Sequence, residues 1–323
     1  MRKTTRDVVA DVRELRMEED ASIAVPSVGT YPATHHAHTQ IAEKAGIPGR
    51  FYDRLRQDFP ALLAANVNGL LPAGADRRLI RVADGKVRAL LSDRYRSLDS
   101  YDLALRVADR AIANNAQVLD ASLTETRMSI RVTLPQYREK VGEMTAAIRA
   151  AYSGRAHGAD MAGAGELDAD YVVPGLVVSN SDVGAGAFRV EPYVYRLVCM
   201  NGAIGEYSLK QIHVGERLEL GEIVYSDRTR AIQDEALWAR VGDVIDSTFN
   251  PDTFRAMLDQ MRAAKSEQLP GVEAVVDVVA RDLGLSADRR AMLLSYFAIE
   301  GPTVYGLVQG VTAIAQHEAG ADA

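Results

Sequence analysis

Residues 78–92, RLIRVADGKVRALLS, constrain the fold more than any other stretch of the chain. Two short runs flank Asp84-Gly85, a dipeptide that tolerates the positive φ values of a two-residue hairpin turn. A chain with such a unit builds an antiparallel sheet around it. The pattern recurs at 117–124 and 127–134, where Ile130, Val132 and Leu134 alternate with polar neighbours. Between these pairs YDLALRVADRAIANN reads as a helix capped by Asp99 or Ser100, with Leu103, Val107 and Ile112 inward. Residues 171–179 and 187–190 add strands on either side of an Asn180-Ser181-Asp182-Val183-Gly184 turn. Residues 193–200 suit either strand or helix.

From residue 227 on the periodicity is helical, over 227–247, 251–266, 271–283, 286–299 and 302–318. Pro251, Pro270 and Pro302 mark starts, and Gly271, Gly284 and Gly301 punctuate the joins. The expected class is therefore α+β: an antiparallel or mixed sheet of hairpins with packed helices and a helical C-terminal part. Three regions follow: a helical N-terminal segment at 1–76, an α+β core at 77–226 and an acidic helical part at 227–323. Within the first, Val8, Val12 and Leu15 suggest a helix over 4–19, and Pro26, Gly29 and Pro32 an extended loop over 22–34. Residues 136–151 read as a helix, and 153–170 as a loop rich in Gly, Ala and Asp.

Charge narrows the function classes. The net charge is −7, which argues against a uniformly basic nucleic-acid binder. The charge is uneven, however: residues 1–213 hold 27 basic against 26 acidic groups, and residues 214–323 hold 10 against 18. Nine of the basic groups fall in 77–110. A single cysteine excludes an internal disulfide and a cysteine-rich zinc site, and suits a reducing, cytoplasmic setting. There is no apolar run of membrane-spanning length and no secretory leader pattern. No Walker, Rossmann, zincin or nucleophile-elbow motif is present, so no catalytic residue, cofactor or metal is assigned.

Three candidate sites remain. The first is a single-strand nucleic-acid track. Arg78, Arg81, Arg94 and Arg96 would hold phosphates, Tyr95 would stack on a base, and Asn180 and Ser181 would hydrogen-bond the backbone. The second is a helix-turn-helix over 39–57, TQIAEKAGIPGRFYDRL with the residues around it. Here Ala42 allows close helix approach, Gly46 takes the left-handed turn, Ile47 and Leu55 join the helices, and Arg50 and Arg54 would meet duplex DNA. The third is a ligand or structural site around Arg196, Cys199, Asn201, Gly202 and His213. Arg196 sits in an apolar run and, if buried, needs a carboxylate or a ligand. His35, His36 and His38 lie close together but without a nearby carboxylate to complete a metal site.

The segments AEKAGIPGRFYDRL, LLAANVNGLL, LLSDRYRSLD, VVSNSDVGAGAFRVEPYVYRLVCMNGAI with the later IHVG, and YGLVQGVTAIAQ occur in that order between about 35 and 318. Together they resemble a phage/plasmid-like family, a domain of unknown function. Gln309 stands where the pattern suggests asparagine. The resemblance implies a mobile-element context, and hairpins around a helix are similar in architecture to ring-forming single-strand annealing proteins. With the basic excess around the hairpin and its aromatic ring, the expectation is a homo-oligomer that binds single-stranded nucleic acid, DNA favoured, in annealing or recombination without covalent catalysis. A duplex-binding regulator and an enzyme or ligand binder around Arg196 and His213 are the alternatives.

Overall fold

The computed structural model describes residues 5–71, 76–93, 95, 98–143, 145–146, 148, 169–197, 202–204, 210–212 and 227–321. Among these, three antiparallel sheets and nine α-helices make an α+β fold, in agreement with the sequence reading.

The N-terminal part departs from expectation. Residues 4–19 do not form a helix: Thr5–Asp11 is strand β1, followed by a 3-10 turn at Val12–Glu14 and strand β2 at Arg16–Met17. β1 lies on β5 (Arg77–Ala83), with Val8 opposite Ile80. Spacings of four and three satisfied a helix, but spacings of two also fit. Val8, Ala10 and Val12 point inward, and a β-branched run favours the strand once a partner exists. Residues 22–34, read as loop, contain β3 (Ile23–Val25) and β4 (Gly29–Tyr31), which complete a small meander with β2.

The DG hairpin forms as read. Asp84 and Gly85 have φ of 53° and 69°, and β5 turns into β6 (Lys86–Ser92) to give the sheet order β1-β5-β6. Helices α1 (His35–Ala45), α2 (Gly49–Asp58) and α3 (Pro60–Leu70) share one core with this sheet, in which Ile41, Tyr52, Leu63, Ile80 and Val87 are buried. Sheet and core thus cross residue 76.

The larger sheet runs β12-β11-β10-β8-β7. Its spine is β10 (Ala169–Asn180) paired with β11 (Phe188–Arg196), which settles 193–196 as strand. β8 (Met128–Thr133) covers Gly175–Asn180 of β10, and β9 (Glu139–Glu143) covers Ala169–Val172. β9 and the 3-10 turn Pro135–Tyr137 stand where a helix over 136–151 was expected. A strand as long as β10 leaves half its edge unpaired beyond β8, and backbone pairing there outweighs local helical preference. On the far side β11 is lined by β12 (Gly202–Ile204) and β13 (Lys210–Ile212). β7 (Gln117–Leu123) forms the opposite edge.

One face of this sheet carries α4 (Ser100–Ala113), α5 (Asp227–Thr248) and α6 (Pro251–Ser266). Leu103 and Val107 of α4 meet Ile130, Val132, Leu176 and Val178 there. α7 (Val272–Asp282), α8 (Ala287–Glu300) and α9 (Val304–Ala321) follow, as the Pro and Gly punctuation suggested. No helix among the described residues is long and apolar enough to cross a membrane.

Candidate nucleic-acid interface

Arg81 and Arg88 of the DG hairpin are buried, and Arg78 is half-buried beside Asp76. The β1–β5 register puts Asp7 directly opposite Arg81. Arg81 Nε and Nη2 donate to the Asp7 carboxylate at 2.9 and 2.7 Å, and Nη1 donates to the Asp182 carbonyl at 2.5 Å. The Arg81 side chain is 4% exposed. Burial opposes its charge, yet the Asp7 carboxylate raises its pKa above the ordinary value. Arg78 donates to Asp76 at 2.7 Å, a carboxylate it shares with Lys44. Arg78 and Lys44 line an open depression of about 320 Å³ with Gln40, Glu43 and Leu90. Arg94 and Arg96 lie outside the described residues.

Tyr95 and the Asn180–Ser181 turn also work inward, which corrects their assignment as nucleic-acid contacts. The Tyr95 hydroxyl donates to the Ser181 carbonyl at 2.8 Å, and its ring packs with Leu79, Ala89, Leu91 and Val183. Asn180 is buried, and its amide donates to the Leu98 carbonyl at 2.9 Å. Ser181 Oγ accepts the amides of Val183 and Ala185, closing the turn on itself. His36 Nε2 donates to the Val183 carbonyl at 3.1 Å, and Arg88 reaches Asp182 and the Glu125 carbonyl. The turn 180–186 is therefore the joint between the small sheet and the large one. Gly184 is required in it: its φ is 78°, and a Cβ there would come within 2.6 Å of Leu91 Cδ2.

Arg196 finds carboxylates rather than a ligand. It forks onto Asp170, with Nε at 2.7 Å and Nη2 at 2.8 Å, and Nη1 reaches Glu300 at 2.6 Å. Lys265 joins at 3.1 Å from Asp170. Arg196 and Glu300 are each 1% exposed and Asp170 is fully buried. Two cations and two anions balance, and they tie the ends of α6 and α8 to the sheet. Gly202 is a β12 residue opposite Tyr195; Cys199, Asn201 and His213 lie outside the described residues. Gln309 is buried in α9.

The α1–α2 corner remains, and here the expected arrangement is found. Gly46 ends α1 with φ 67°, and its amide and that of Ile47 return to the Ala42 carbonyl. Ala42, Ile47, Tyr52 and Leu55 are all buried. His38, buried on α1, shares a hydrogen bond of 2.8 Å between Nδ1 and the Tyr52 hydroxyl of α2. Burial pushes the His38 imidazole down to about 4 and raises the Tyr52 phenol. His35 is exposed, and no metal-binding cluster occurs among the described residues. What α2 leaves outside is Gly49, Arg50, Phe51, Arg54, Gln57 and Asp58. Arg50 and Arg54, four apart, share one face, and Arg54 is 72% exposed beside an exposed Asp58 at 4.0 Å. Phe51 on the adjoining flank is 51% exposed. Pro48 provides no side-chain cap at the start of α2, and its carbonyl accepts the amides of Phe51 and Tyr52 at 2.9 Å.

No protein-family model matches the chain, and neither a curated protein nor a solved structure shows significant similarity to it.

Proposed function

We propose that the protein binds nucleic acid through the outer face of α2, with the α1–α2 corner acting as a helix-turn-helix on duplex DNA. One observation carries the reading. The corner buries Ala42, Ile47, Tyr52 and Leu55 around a left-handed Gly46, and keeps Arg50 and Arg54 on the open face of the second helix. That division of labour suits a helix lying in a groove. Arg50, Arg54 and Gln57 can reach base edges or phosphates. The resemblance to a phage/plasmid-like family agrees with a DNA-directed role, and the lone cysteine with a cytoplasmic one.

A single-stranded substrate, with annealing as its outcome, is the second reading. The observation in its favour is Phe51, an exposed ring beside two exposed arginines, a combination that suits stacking on unpaired bases. Fluorescence anisotropy at low salt, with duplex and single-stranded oligonucleotides of one mixed sequence, separates the two. The duplex reading expects binding that weakens steeply with salt and falls at least tenfold in Arg50→Ala/Arg54→Ala. Single-strand binding lost in Phe51→Ala moves the assignment to the second reading. Absence of binding to either form removes both.

A further inference from the structure

Among the described residues the large sheet ends at β7, which pairs with β8 on one side only. The register puts Val118 opposite Val132, Ala121 opposite Ile130 and Leu123 opposite Met128, so these β7 side chains share the helix-covered face of the sheet. Val118 is 50% and Leu123 59% exposed. The register shifts between Val118 and Asp120, and the seven-residue edge otherwise carries exposed aliphatics and no lysine or proline, which leaves it open to strand addition.

α4 lies above this edge. Its inner face, Leu103, Val107 and Ala111, packs on the sheet. One flank meets α5: Arg106 lies 4.4 Å over the Trp238 ring, and Arg110 reaches Asp246 at 2.7 Å. α5 in turn packs on β11, toward the far side of the sheet. The other flank of α4 therefore overhangs β7. It consists of Tyr101, Leu105, Ala108 and Ile112, with Leu105 50% and Ile112 76% exposed. The sequence reading had Ile112 inward; it faces out.

We infer that a second copy of this chain covers the edge, β7 against β7, through a two-fold axis normal to the sheet. This inference stands apart from the nucleic-acid reading. Three observations choose this occupant. The flank positions 101, 105, 108 and 112 are spaced four, three and four, a palindrome. An antiparallel copy of α4 then sets Tyr101 against Ile112 of the second copy and Leu105 against Ala108 of the second copy, as an isologous contact needs. The midpoint of that palindrome lies about 10 Å from the end of α4 at 1.5 Å per residue. Asp120, the centre of β7, lies about 10 Å from the start of the strand at 3.4 Å per residue. One axis thus serves strand and helix together. The footprint is on the order of 24 Å by 20 Å, near 500 Å² per copy, which reaches the roughly 1,000 Å² total of a specific interface. On the opposite face Arg131 pairs with Asp120, so two aspartates meeting near the axis each keep a cation.

Sedimentation velocity on the full chain tests this. Across 1–100 µM the protein is expected to reach twice its 35.1 kDa mass. Ile112→Glu/Leu123→Lys, both at exposed sites, is expected to shift it to the monomer with unchanged circular dichroism and a melting temperature at high dilution within about 2 °C. In a Cys199→Ser background, Leu105→Cys/Ala108→Cys is expected to give an intermolecular disulfide on mild oxidation. A monomer at 100 µM overturns the inference. So does a dimer that survives Ile112→Glu/Leu123→Lys and gives no cross-link.

Discussion

The seam at β10–β11 and the outer face of α2 use the same residue type in opposite ways. Arg196 is enclosed, forked onto one carboxylate and bonded to a second, so its charge is cancelled where it stands. Arg50 and Arg54 are held out in water on a helix whose other side is firmly anchored. An arginine in an apolar run serves the architecture, and an arginine four residues from another on a polar helix face remains available to a ligand. The difference lies in the partner, and partners come from distant parts of the chain: Asp170 and Glu300 for Arg196, Asp7 for Arg81.

That contrast is open to measurement. Arg196→Met removes the guanidinium that the buried Asp170 and Glu300 share; it should lower unfolding free energy by about 3–5 kcal/mol, read from the urea midpoint. A loss under 1 kcal/mol would erase the distinction drawn here. Next in size is a pH effect at the foot of α2. His38 is held neutral down to about 4 in the folded protein, whereas the unfolded chain takes up a proton near 6.5. The unfolded state then binds the extra proton, so stability falls as pH drops from about 6.5 to about 4, by roughly 3 kcal/mol in total. His38→Asn, which keeps an acceptor for Tyr52, should flatten that part of the urea-midpoint profile.

Smaller effects sharpen the comparison. Arg81→Met should cost about 1–3 kcal/mol, less than the change at 196, because Asp7 is 35% exposed and water can take over. Smallest of all, Arg50→Ala/Arg54→Ala should move the thermal midpoint by no more than about 0.5 kcal/mol equivalent. Its effect belongs to oligonucleotide binding instead. Loss of fold in that variant would show the α2 face to be structural.

Much of the architecture was legible because local signals agreed with it. Asp84-Gly85, the Pro and Gly punctuation after 227, and the Ala42–Gly46–Ile47–Leu55 spacing each act within a few residues. The need of Arg196 for a carboxylate or a ligand was also legible, though not which of the two or from where in the chain. The N-terminal strand was not, since Val8, Val12 and Leu15 satisfy two periods and only β5 decides between them. That one misreading hid Asp7, and with it the fate of Arg81. The local basic excess of 77–110 suggested an exposed track for the same reason: composition counts charges without their neighbours. Arg78, Arg81, Tyr95, Asn180 and Ser181 proved to be joining residues, a role that sequence spacing does not reveal.

The joint at 180–186 has a property of its own. Ser181, Asp182 and Val183 receive Tyr95, Arg81 and His36 through three successive main-chain oxygens. Every amino acid carries that oxygen. Those three bonds do not depend on which side chains occupy the positions, but the side chains add ties of their own: Ser181 Oγ closes the turn, the Asp182 carboxylate meets Arg88, and Val183 is buried against Leu91 and Tyr95. A substitution that shortens or charges Val183, or removes the Asp182 carboxylate, loses one side-chain tie and keeps the main-chain ones, whereas a change at Gly184 alters the course that presents all three.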